Sequence, residues 1–191
     1  MMYDNAKAAR VRTLVVAHSG ELVPVESCDV QFCRDRCIQG VIEFYVDGIR
    51  ILGHEDVDTI DALWSLMLTS LKTFIGGEDV VINFPECRYM LVLKRISGGR
   101  VVVKFVDRDE ERVASGRIRN VLEALTRGAV DFFEAALNTL PVDEWTYRRD
   151  FNAAVRLHEE SAYFDLDDSR GGPEPKRSPL KRASRDDVAQ L

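Results

Sequence analysis

Long apolar runs are missing from this 191-residue chain. Stretches such as "MLVL" stop far short of the ~18 residues that a spanning helix needs, which argues against a membrane protein of that kind. The opening "MMYDNAKAARVRTLVVAHSG" lacks the apolar core of roughly 7–15 residues that marks a secretory leader. A cytoplasmic location is the expectation, where thiols stay reduced. Histidine is scarce too. Any Cys–His or Ser–His–Asp site must use one of only three, His18, His54 or His158. His18 reads as part of a turn and His158 as a core histidine on a helix face. The chain also lacks G-x-x-x-x-G-K-[ST], G-x-G-x-x-G, H-E-x-x-H and G-x-S-x-G. No catalytic residue, metal or cofactor is assigned on these grounds.

A basic footprint is absent as well. The 32 acidic residues outnumber the 26 basic ones, for a net charge of −6, whereas general nucleic-acid binding needs a positive surface. Residues 164–191 hold six acidic and six basic residues, so the net charge belongs to residues 1–163. A partner selected by charge would be a basic protein. Only the tail segment "PKRSPLKRASR" could touch a nucleic acid, and weakly.

What is present in one place is cysteine. "CDVQFCRDRC" puts Cys28, Cys33 and Cys37 within ten positions, and the fourth, Cys87, lies far along the chain. Zinc sites begin with C-x₂₋₄-C on a tight knuckle and need four ligands; the spacings here are x₄ and x₃, but "DVQFCRDR" has neither glycine nor proline to make a tight loop. In an extended strand Cys33 and Cys37 would sit ~13 Å apart, with Cys28 on the opposite face. Packed thiols are the plainer reading. Arg34 and Arg36 could lower the pKa of Cys33 or Cys37, which keeps a thiol enzyme with a distant histidine as an alternative.

The strands are legible. "VRTLVV" and "LVPV" flank a turn at "HSGE". "IQGVIEFYVDGIRIL" is a hairpin, with Asp47-Gly48 suited to a type I′ turn. "RYMLVLKRI" and "RVVVKFV" flank Ser97-Gly98-Gly99, and "DVVINF" before them is a further strand ended by Pro85. Both faces of these strands carry apolar residues, so helices are expected to cover the sheet. "DRDEERVASGRIR" reads as a solvated loop.

One helix is marked by Ile60, Leu63, Trp64, Met67, Leu71, Phe74 and Ile75 at helical spacing, with Asp56 and Asp58 at its start and Gly76-Gly77 at its end. A second spans about Ile118 to Leu140, where Gly128 suggests close backbone packing. A shorter third is predicted over 147–163, with Tyr147, Phe151, Ala154, Val155, His158 and Ala162 on one face. From residue 164 onward proline, glycine and charge replace apolar periodicity, and disorder is expected. The architecture is therefore a single α+β domain over 11–163. A mostly antiparallel sheet built from hairpins packs against two long amphipathic helices and a shorter third. Residues 164–191 form a disordered charged tail.

The candidate binding residues are carboxylates and one aromatic. Glu55, Asp56 and Asp58 crowd "GHEDVDTID"; capping of the following helix explains them without a cation. Asp143, Glu144 and Trp145 form the second group, in which Trp145 could anchor a partner. Trp64, by contrast, belongs to a helix stripe and is expected in the core.

The turn at Asp47-Gly48, the Asp61-Ala62-Leu63-Trp64 segment and the Phe84-Pro85 strand end carry a resemblance over residues 38–140. It is to a loose group of small bacterial α+β proteins, some of them similar to immunity proteins of polymorphic toxin systems. The marks are structural, and no active-site motif comes with them. The resemblance implies a non-enzymatic protein-binding module, such as an immunity-type inhibitor of a basic protein. A small thiol enzyme or hydrolase and a structural subunit of a homodimer are the alternatives.

Overall fold

The computed structural model describes residues 9–27, 38–139 and 144–163. The expected tail, and the segment holding Cys28, Cys33 and Cys37, lie outside the described residues. The fold is α+β, with nine strands in two antiparallel sheets and three helices among those residues. The first sheet contains β1 (Arg10–Val16), β2 (Leu22–Pro24), β3 (Gln39–Val46), β4 (Ile49–Leu52) and the short β5 (Asp58–Thr59). Its order is β2-β1-β3-β4, and β5 pairs with β3. The turn between β3 and β4 has φ of +48° at Asp47 and +80° at Gly48, the left-handed pair that a type I′ hairpin requires.

The second sheet is a meander of β6 (Val80–Asn83), β7 (Met90–Ile96), β8 (Arg100–Val106) and β9 (Glu111–Arg117). One sheet was expected and two are found. The strand β9 replaces the solvated loop predicted there. Its core-facing residues, Ala114 and Gly116, are buried but small, so hydropathy alone gives that strand no signal.

The three helices are α1 (Ile60–Ile75), α2 (Ile118–Thr139) and α3 (Glu144–Ala162), of which α1 and α2 follow the predicted stripes closely. Ile60, Leu63, Trp64, Met67, Leu71 and Phe74 of α1 are all buried. Gly128 on α2 is packed against β1, where an added Cβ would come within 2.6 Å of Val11 Cγ1 and 3.1 Å of Trp64 Cη2. Trp64 is fully buried, and its Nε1 donates to Thr13 Oγ1 at 3.2 Å. Helix α3 sits on α2 and α1 with a register that departs from the predicted stripe. Asp150, Ala154, Leu157 and Ser161 are its buried line, and Ala162 is exposed. The reason is polar pinning. Ser65 on α1 donates to Asp150 at 2.6 Å, and the Tyr147 hydroxyl donates to Asp61 at 2.9 Å. One hydrophobic cluster joins side chains from both sheets and all three helices.

Candidate functional site

The acidic residues near the start of α1 do not form an exposed cluster. Asp56 is 4% exposed and Asp58 is 1% exposed. Neither caps the helix, because the N-cap is Thr59 and it makes no side-chain cap bond. Asp56 instead takes the Gly53 amide at 2.8 Å and a two-point ion pair from Arg112, at 2.8 and 2.6 Å. Arg112 stacks over Phe105, 4.1 Å from the ring centroid. Burial opposes the charge on Arg112, but its bonds to Asp56 prevail and hold its pKa above the usual value. Asp58 accepts the amides of Thr59, Glu86 and Cys87.

These two carboxylates therefore act as internal ties. Asp56 joins the loop after β4 to β9, and Asp58 joins β5 to the loop before β7. A capping pattern and a tie pattern look alike in sequence, because both place short carboxylates in a loop before a helix. Glu55 is exposed, and it is paired with Arg50 at 2.7 Å. Asp143 and the side chain of Glu144 lie outside the described residues. Trp145 is 73% exposed at the start of α3. The sequence candidates are thus scattered: one exposed carboxylate, one exposed tryptophan and two buried ties.

Among the described residues, Thr126, His158, His54 and Cys87 are the groups nearest to chemistry, and each is already engaged. Thr126 Oγ1 lies 3.0 Å from His158 Nδ1, a hydroxyl–imidazole pair, but it is fully buried and donates to the Leu122 carbonyl at 2.8 Å. His54 is exposed and contacts Glu43 at 3.0 Å. Burial first, then Asp58, pushes the Cys87 thiol pKa up, which disfavours the thiolate a nucleophile needs. Among the described residues no three His, Cys, Asp or Glu side chains are grouped as metal ligands. No described helix is long and apolar enough to cross a membrane.

The feature that sequence reasoning missed is the outer face of the β6–β9 sheet. Strand pairing aligns its side chains in rows across the strands. Asn83, Met90, Val106 and Glu111 make one row, and Val81, Val92, Lys104 and Val113 the next. Lys94, Val102 and Ser115 follow, and then Ile96, Arg100 and Arg117. Every side chain in those rows is exposed or half-buried, with Val81 at 54% and Val113 at 46%. The opposite face, with Leu91, Leu93, Val101, Val103 and Phe105, is buried. An open sheet face normally alternates to polar residues. This one keeps seven apolar side chains in its rows, and such exposed patches mark interaction surfaces. The signal lies in "VVVKFV" and "MLVLKRI", apolar on both strand faces, a pattern that predicts cover without saying what supplies it.

No protein-family model, no curated protein and no solved structure matches this chain.

Proposed function

We propose that this chain is a cytoplasmic, non-enzymatic protein-binding module that docks through the outer face of the β6–β9 sheet. The observation that carries the reading is the set of seven apolar side chains left on that face, with Val92 and Val102 half-buried between exposed Val81 and Val113 and interleaved with Lys94 and Lys104. Burying such side chains against a partner removes apolar area from water at about 25 cal/mol per Å². The narrower form of the reading is an immunity-type inhibitor of a basic protein. It rests on the net charge of −6 and on the likeness over residues 38–140, with Glu55 and Trp145 as the described contact residues.

The test is a comparative capture from the native host using the wild-type chain, Val92→Glu and Trp145→Ala. A protein retained by the wild type and lost with Val92→Glu supports the module. Turnover of a small substrate that disappears with Cys33→Ser or Cys37→Ser, with no protein retained, would replace it by the thiol enzyme.

A further inference from the structure

The charges around this open sheet face are biased by end. Lys94, Arg100 and Arg117 lie toward the turn joining β7 and β8, where Asp79 and the Arg100 partner Asp47 also lie, whereas Asp107, Asp109, Glu110 and Glu111, with Arg108 among them, lie at or beside the turn joining β8 and β9. Those two turns are at opposite ends of the strands, because β8 runs from one to the other. Between the ends, Val81, Val92 and Val113 in one row and Val102 in the next alternate with Lys104 and Lys94. A surface with a positive end and a negative end is complementary to itself when turned end for end.

We infer that the occupant of this face is a second copy of the chain, packed sheet on sheet about a two-fold axis perpendicular to the strands. The inference rests on the docking face of the proposed function and names its partner. Such an axis lays each strand over its own copy and exchanges the outermost rows. Glu111 of one protomer then faces Arg117 of the other, and Met90 faces Ile96. Lys104, which holds Glu111 at 2.6 Å within one chain, comes over Val102, and Lys94 over Val92. No cation is placed over a cation. Two such sheets pack ~10 Å apart with their strands rotated by about 30°, and the end-for-end exchange survives that rotation.

Three strands of seven residues and one of four, at ~3.4 Å per residue and ~4.8 Å between strands, give a flat footprint of about 400 Å². That is about half of the ~800 Å² per partner of a standard interface, which makes the contact a weak, concentration-dependent one. A foreign acidic protein would meet only the positive end, and a basic one only the negative end. Single-stranded nucleic acid is a poorer fit, because none of the side chains in the rows is aromatic and base stacking needs such platforms.

Sedimentation equilibrium of the full chain, across micromolar to sub-millimolar concentrations, tests this. The expected result is a species of twice 21.6 kDa. Val92→Glu, and independently Val102→Glu, should weaken association at least about tenfold while the thermal midpoint stays near that of the wild type. Glu111→Arg and Arg117→Glu should each weaken it about tenfold by opposing like charges, and the double variant should recover to within about threefold of the wild type. A double variant no better than either single one would overturn the proposed axis.

A monomer at every concentration overturns the second copy as occupant. If that monomer still retains a foreign protein through Val92, the module reading stands without it. A dimer that survives Val92→Glu and Val102→Glu places the interface elsewhere and also overturns the inference. A monomer that dimerises once Asp165, Asp167 and Asp168 are changed to asparagine would make that acidic segment the occupant instead.

Discussion

The two sheets of this protein are built from strands of similar hydropathy, yet they are used differently. In the first sheet adjacent residues Leu14 and Val15 on β1, and Val41 and Ile42 on β3, are buried together, so both faces of those strands are covered. In the second, Val101 and Val103 are fully buried while Val102 between them is half-exposed. The physical difference is what lies on the other side. Helix α2 closes on β1 so tightly that Gly128 leaves no room for a side chain. The outer rows of the β6–β9 sheet remain in contact with solvent. Apolar character on both faces of a strand therefore announces that both faces will be covered, but not by what. Cover can come from the same chain or from another.

The largest effect is expected on the covered side. Trp64→Ala should destabilise the fold by ~3–5 kcal/mol, the range for emptying a buried aromatic site. Chemical denaturation measures it. An unchanged midpoint would mean that the closure of α1 and α2 over β1 is not what holds the first sheet.

Next in size is the tie between the sheets. Asp56→Ala leaves Arg112, whose side chain is only 11% exposed, without its two-point partner. The expected loss is about 2 kcal/mol, because Arg112 loses its two-point partner and keeps only the exposed Glu110 at 3.0 Å and Glu55 at 3.5 Å. Replacing Asp56 and Arg112 by leucine should recover most of that loss, so a double-mutant cycle isolates the value of the pair.

A neighbouring pair of substitutions sharpens the contrast between the two faces of one strand. Val103→Thr puts a hydroxyl into the core and should cost ~1–3 kcal/mol. Val102→Thr, one residue away on the outer face, should shift stability by less than about 0.5 kcal/mol while weakening association. Equal effects on stability would show that the outer face is covered within the chain.

The smallest effect concerns Cys87. Its thiol pKa is raised by burial and by Asp58, so the neutral form is favoured in the folded state. That contribution is complete at neutral pH and fades as pH rises through the raised pKa. Iodoacetamide should label Cys87 at pH 8 at least about threefold more slowly than free cysteine, as read by peptide mass mapping.

The α+β class, the type I′ turn at Asp47-Gly48, the stripes of α1 and α2, and the burial of Trp64 are legible in the chain alone. Those features depend on local period and turn chemistry, which neighbouring residues carry. The sequence also pointed to Trp145 as the exposed tryptophan. Tertiary structure alone decided the rest. Asp56 and Asp58 were legible as carboxylates before a helix. Their partners, Arg112 in one case and the amides of Glu86 and Cys87 in the other, are 56, 28 and 29 residues away. Strand β9 escaped notice because its core side is made of small residues. Asp150 turned the α3 register because its partner Ser65 is on another helix. The division into two sheets, and the outer face left open on one of them, could not be read from period at all. An alternating or doubly apolar strand states how many faces seek burial, and only the packing of distant elements settles which of them find it within the chain.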